Sequence, residues 1–217
     1  MPKKLNDNSV NSNSKYFDTG VFVDLIKIDN VVDKSNYPLS PTANKKTIGN
    51  KGFEPELCLE ITSNDKKIYI FGKFEYREDK ISGKTKYVGW KRANNSVWNL
   101  LYVLFGDKAE INDDDTIPER LLKEMVGKKF YKLRYCIGID DKTNKPAFRD
   151  YSYFTNGDKE ENAEVLFNKF ANSDRFNYDY DPIAYENYVY VQKTFNPKNT
   201  DIAPPNNESG NNDPLPF

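Results

Sequence analysis

Lys66-Lys67-Ile68-Tyr69-Ile70-Phe71-Gly72-Lys73-Phe74-Glu75-Tyr76-Arg77 alternates along most of its length. Successive side chains of a strand leave on opposite faces. Ile68, Ile70, Phe74 and Tyr76 therefore share one face, and Lys67, Tyr69, Phe71, Lys73 and Arg77 share the other. The first set is a core face. The second mixes rings with cations, the combination that stacks bases and pairs phosphates along a single strand of nucleic acid. A hairpin turn over Asp79 to Lys84, around Ser82-Gly83, returns the chain through Thr85 to Arg92, which carries Lys86, Tyr87, Trp90, Lys91 and Arg92. From Lys66 to Arg92 nine bases meet three acids, a local balance of +6 in a chain whose net charge is −1. A polyanion-binding face on an otherwise acidic protein has this asymmetry.

The flanking sequence continues the β pattern. Gly20 to Val32 places Val21, Phe22, Val23, Leu25, Ile26, Ile28, Val31 and Val32 on both faces, as in a long strand that bends or is covered on both sides. Asp33 to Pro55 is a long loop with Lys45, Lys46 and Lys51, expected to form a flexible basic flap. The strand Glu56 to Ile61 precedes a tight turn at Thr62-Ser63-Asn64-Asp65. Beyond the basic hairpin, Asn95 or Ser96 caps a helix that Gly106 stops. A second short helix spans Glu119 to Met125. A strand from Lys128 to Ile139 sets Lys132 and Arg134 opposite an apolar face, and Ala147 to Thr155 presents Arg149, Tyr151 and Tyr153. A third helix, about Glu161 to Asn172, should bury Val165, Leu166, Phe167 and Phe170, and Tyr188 to Val191 should form a last strand.

Composition removes whole classes of chemistry. The chain has no His and only two cysteines, Cys58 and Cys136, so the usual Cys/His zinc sites and Ser-His or Cys-His catalysis are excluded. Asp113-Asp114-Asp115, with Asp140 and Asp141, invites a metal-dependent nuclease reading, but no phosphate-cradling glycine loop or second carboxylate cluster at fixed spacing accompanies them. Adjacent carboxylates just ahead of a helix are more simply a solvated cap. No apolar stretch approaches about 18 residues and no signal sequence is evident, so a soluble, cytoplasmic chain with reduced thiols is expected.

The chain closes on Asn211-Asn212-Asp213-Pro214-Leu215-Pro216-Phe217, after a Pro/Asn-rich stretch that has too little apolar surface to offset its ordering entropy. Leu215, Phe217 and the terminal carboxylate suit a partner pocket that is apolar with a basic rim. This ending resembles the tip of bacterial single-stranded DNA-binding proteins, with Asp213, Leu215, Pro216 and Phe217 in matching places. Pro214 stands where a second acid is usual, so the tip carries less charge. The resemblance implies a protein that coats and protects single-stranded DNA in replication, recombination or repair, and that recruits partner enzymes through the tip. The chain length suits a phage or viral version, acting in the host cytoplasm.

Together these readings give a mainly β fold with helical insertions, an OB-fold-like antiparallel barrel plus a disordered C-terminal tail. Residues 1–15 form a disordered arm, 16–195 the binding domain and 196–217 the tail. The expected nucleic-acid-binding residues are Lys67, Tyr69, Phe71, Lys73, Arg77, Lys86, Tyr87, Trp90, Lys91, Arg92, Lys132, Arg134, Arg149, Tyr151 and Tyr153. No catalytic residue, metal or cofactor is expected. The rival readings are a non-enzymatic adaptor that binds protein, and the metal-dependent nuclease.

Overall fold

A computed structural model describes residues 14–40 and 48–195, without the side chains of 193–195. It is mainly β, with antiparallel pairings and interspersed helices. The strands are β1 (Ser14–Asp18), β2 (Val21–Lys27), β3 (Asn30–Asp33), β4 (Leu57–Ser63), β5 (Lys66–Gly72), β6 (Phe74–Glu78), β7 (Thr85–Trp90), β8 (Lys129–Asp140) and β9 (Lys145–Asn156). The helices are α1 (Ser96–Phe105), α2 (Glu119–Met125), α3 (Asn162–Ala171), α4 (Asp174–Tyr178) and α5 (Pro182–Phe195). Among the described residues the strands form sheets ordered β1-β2-β8-β9, β3-β4-β5 and β6-β7, and these do not close into one barrel. Most of the arm expected at 1–15, residues 41–47 with Lys45 and Lys46, and the tail lie outside the described residues. Ser14 and Lys15 belong to β1. No helix among the described residues is long and apolar enough to cross a membrane.

Two compact units emerge within the span read as one domain. Among the described residues, the first combines 14–24 with Leu133–Tyr151 and 167–195; the second combines 25–40 and 48–132 with Ser152–Leu166. In the first, Phe22, Cys136 and Tyr185 form a buried cluster with Phe148, Ala184 and Val189 packed against it. The final strand expected at Tyr188 to Val191 is instead part of α5. Asp181 accepts the Ala184 amide at 3.0 Å, and Pro182 opens the helix where its missing N–H costs nothing. The alternating Tyr-Val-Tyr-Val run yields to this start signal. Helix α3 buries Ala163, Leu166 and Phe170, while Val165, expected inside, is 53% exposed.

The second unit holds the larger core, built from Leu57, Leu59, Ile61, Ile70, Phe74, Trp90, Val97, Leu100, Leu101 and others, with Ile28 fully buried. Ile28 is also where the long apolar run bends. Its amide donates to Lys128 O and its carbonyl accepts from Gly127, whereas Asp29 already donates to Thr62 O beside β4. One continuous run thus becomes β2 and β3 in different sheets.

The run from Lys66 to Arg77 divides in the same way, at Lys73. Asn95 explains the break: its Oδ1 accepts the Trp98 amide at 3.1 Å and caps α1, while its Nδ2 donates to Lys73 O at 3.1 Å. Any Cβ at Gly72 would overlap that Oδ1, so glycine lets the capping residue approach the strand.

Candidate nucleic-acid interface

The three-stranded sheet has one face in the core and one outward. Leu57, Leu59, Ile61 and Ile70 point inward, and the opposite set is fixed by register. Asn30, Thr62 and Lys67 align across the strands; Val32, Glu60 and Tyr69 align next; Cys58 pairs with Phe71 in the row beyond, where Lys34 donates its amide to Cys58 O. Tyr69 is 37% and Phe71 41% exposed, with ring centroids 6.3 Å apart and planes 22° from parallel. Two rings left open side by side on a strand have the arrangement that base stacking requires. Lys67, Tyr69 and Phe71 fall on the side that alternation assigns to them.

Glu60 lies in the middle of this face with only 11% of its side chain exposed. Its Oε2 accepts the Tyr69 hydroxyl at 2.9 Å and its Oε1 meets Lys67 Nζ at 3.1 Å. The Tyr69 hydrogen bond, then the Lys67 ammonium, hold the Glu60 carboxyl below the ordinary carboxylate range. Glu60 in turn raises the pKa of Lys67 and of the Tyr69 hydroxyl. Cys58 beside them is buried, and desolvation, followed by neighbouring carboxylates led by Glu56, pushes its thiol up to about 11.

The adjoining hairpin β6-β7 supplies cations in the same unit. Lys73, Arg77, Lys86, Lys91 and Arg92 are all exposed. Arg77 bonds Glu75 at 2.8 Å, Lys86 reaches Asp79 at 3.1 Å, and the Arg92 guanidinium sits 4.8 Å from the centre of the Trp98 ring. Asp79 also organises the hairpin tip, accepting from the Ser82 hydroxyl and the Ile81 amide, and these bonds with Lys86 lower its pKa to about 2.

Tyr87 and Trp90 are not stacking rings. They are 9% and 5% exposed, and they donate to Asp115 Oδ2 at 2.7 Å and Asp115 O at 2.8 Å. Strict alternation fails in β7 because the register shifts: Glu75 pairs with Gly89 but Tyr76 pairs with Tyr87, leaving Val88 as an extra residue. This bulge, helped by Gly89 at φ +130°, lets two rings three positions apart both face the core. Asp115, read as part of an acidic loop, is thus an acceptor for core rings, and Asp114 ties Thr116. Among the described residues no group of three or more His, Cys, Asp or Glu is placed to hold a metal.

Other expected contacts are also occupied elsewhere. Tyr151 is 5% exposed and packs on Phe170, so it offers no face to a base. Arg134, with 15% of its side chain exposed, bonds Asp24 at 2.9 Å and lies over the Phe22 and Phe148 rings. That leaves it little reach toward a phosphate. Arg149 is more open but bonds Asp179 at 3.0 Å, and all three belong to the first unit. Lys132 is half-buried, and so is Tyr153, whose hydroxyl donates to Asn94 at 3.1 Å.

Sequence reasoning missed Val32, Lys34 and Glu60, which the pairing of β3 with β4 brings to the face. Their signal was present in the same period of two, at 30, 32 and 34 and at 58, 60 and 62. Around Asn36 the long loop is tied down: its Nδ2 donates to Phe53 O and Glu54 O, and its Oδ1 accepts the Lys51 amide. Comparison with protein-family models, with characterised proteins and with solved structures finds no match.

Proposed function

We propose that this protein binds single-stranded DNA without cutting or modifying it, laying the strand over the outward face of β3-β4-β5 and along the β6-β7 hairpin. The observation that carries the reading is the open Tyr69–Phe71 pair beside Lys67 and Lys34. Bases stack on the two rings at about 1–3 kcal/mol each, and the hairpin cations neutralise phosphates. An OB-like mode of binding, with the strand crossing a sheet between flanking loops, is the architectural part of this proposal. Stacking by itself discriminates little between bases.

The tip residues Asp213, Leu215, Pro216 and Phe217 lie outside the described residues; their proposed role is to recruit replication, recombination or repair enzymes. Removing Leu215 to Phe217 should abolish that recruitment and leave DNA affinity nearly unchanged. Fluorescence anisotropy with a labelled oligo-dT of about 30 nucleotides, at several salt concentrations and beside duplex DNA, tests the reading. Tight, salt-sensitive binding to the single strand supports it, and no binding at low salt overturns it.

A protein-binding adaptor is favoured by one observation: Ile183, Tyr190 and Val191 on α5 are 66%, 67% and 45% exposed. Such an interface would lack the steep salt dependence of phosphate contacts.

A further inference from the structure

We infer that Glu60 reads one base of the bound strand and selects guanine over thymine. This rests on the single-strand-binding reading above and adds a base-edge contact to it. Glu60 is the central residue of the outward face, flanked by Val32 on one strand and Tyr69 on the other. A base lying on Tyr69 or Phe71 brings its Watson–Crick edge over the middle strand, where Glu60 is the polar group within the row.

The chemistry of that group is one-sided. An ionised carboxylate only accepts, and each oxygen has two lone pairs. Oε1 uses one toward Lys67 and Oε2 one toward the Tyr69 hydroxyl, so each oxygen keeps one acceptor position. Those same two bonds fix the carboxylate plane and keep it charged at neutral pH. A rigid, partly exposed pair of acceptors matches a pair of adjacent donors. Guanine offers them as N1–H and the N2 amino group. Cytosine and adenine each offer one amino group, as in carboxylate recognition of cytosine N4. Thymine places carbonyl oxygens on both sides of its single N3–H, and these repel the carboxylate.

The surroundings suit selection rather than simple affinity. Lys67 balances the Glu60 charge, so the phosphate backbone does not meet a bare anion. The low exposure of Glu60 makes an unmatched base costly, because water cannot easily solvate both the carboxylate and a facing carbonyl.

The test uses the full chain and labelled oligonucleotides of about 15 nucleotides, a length near one site. The first is oligo-dT; the second carries one central deoxyguanosine and the third one central deoxyinosine, which keeps N1–H but lacks the N2 amino group. The expected result is binding of the guanine oligonucleotide about tenfold tighter than oligo-dT, with most of that gain lost for inosine. In Glu60→Gln the ratio of guanine to oligo-dT affinity, both measured on the variant, falls to within twofold of one. The inosine comparison needs no variant, so it stands even if the substitution disturbs folding. Wild-type affinities within twofold for all three oligonucleotides overturn this inference and leave the binding reading intact. No binding of any of them at low salt overturns both.

Discussion

Arg77 on β6 lies directly opposite Lys86 on β7. Like charges at facing positions of an antiparallel pair are unfavourable. Glu75 and Asp79 bond the two cations at 2.8 and 3.1 Å but leave their side chains 70% and 62% exposed. Arg77→Glu should therefore stabilise the hairpin by up to about 1 kcal/mol. The same change should weaken oligonucleotide binding and lower the slope of log affinity against log salt by about one or more. Thermal melting and salt titration of the variant check the two effects together. Loss of stability with unchanged binding would refute both.

The two classes of ring should respond in opposite ways. Tyr69→Ala and Phe71→Ala should each cost about 1–3 kcal/mol in oligo-dT binding, Phe71→Ala with little change in stability and Tyr69→Ala with the added loss of its hydrogen bond to Glu60. Trp90→Ala should destabilise the fold by about 3–5 kcal/mol, because it empties a core site and orphans the Asp115 carbonyl. Urea unfolding beside anisotropy separates them.

Asn95 and Gly72 should behave as one unit. Asn95→Ala removes the α1 cap and should cost about 1–2 kcal/mol. Gly72→Ala clashes with the same side chain, so in the Asn95→Ala background its cost should fall well below its cost in the wild type. A double-mutant cycle by urea unfolding measures the difference, and strict additivity would mean that the contact is not the cause.

The Tyr76 hydroxyl is buried and has no hydrogen-bond partner among the described residues. Tyr76→Phe should raise stability by about 1 kcal/mol, since a desolvated hydroxyl without a partner opposes folding. A clear loss in the same unfolding assay would show that the hydroxyl is bonded in solution.

Asp79 sets a pH window. Its folded pKa of about 2 lies below the ordinary 3.8, so its contribution to the hairpin is present above pH 3.8 and is lost as pH falls toward 2. Asp79→Asn should be less stable than wild type at pH 5, with the gap closing on acidification. A constant gap across that range would place the effect elsewhere.

Period-two reading located the outward face of β5 from Lys67, Tyr69 and Phe71, because nothing interrupts the ladder with β4. The same period does not hold in β7, where the bulge at Val88 is a property of pairing and leaves no mark on local composition beyond Gly89. Local alternation also could not show that Glu60 and Val32 share the outward face with Tyr69, because that juxtaposition depends on which strands become neighbours. The helix of Pro182–Phe195 was legible in its Asp181-Pro182 start, and the β-prone tyrosines and valines after it drew attention away. The ion pairs of the first unit's arginines were not legible in the sequence. Arg134 has Asp24 as its partner from a strand 110 residues earlier, a distance no local pattern spans.

Between β4 and β5 the chain turns on Asn64 and Asp65 alone, both with positive φ, and Ser63 pairs with Lys66 across them. A two-residue turn of this kind admits one phase between the strands it joins. It acts as a reading frame for the sheet: odd positions 67, 69 and 71 meet the solvent, and even positions 68 and 70 meet the core. Deleting one residue there would leave composition and hydropathy almost untouched, yet it would turn the strand inside out. Ile68 and Ile70 would then face water, and the two rings would be lost to the interior. The proposed binding of a strand thus depends on the parity of a turn that need never touch it.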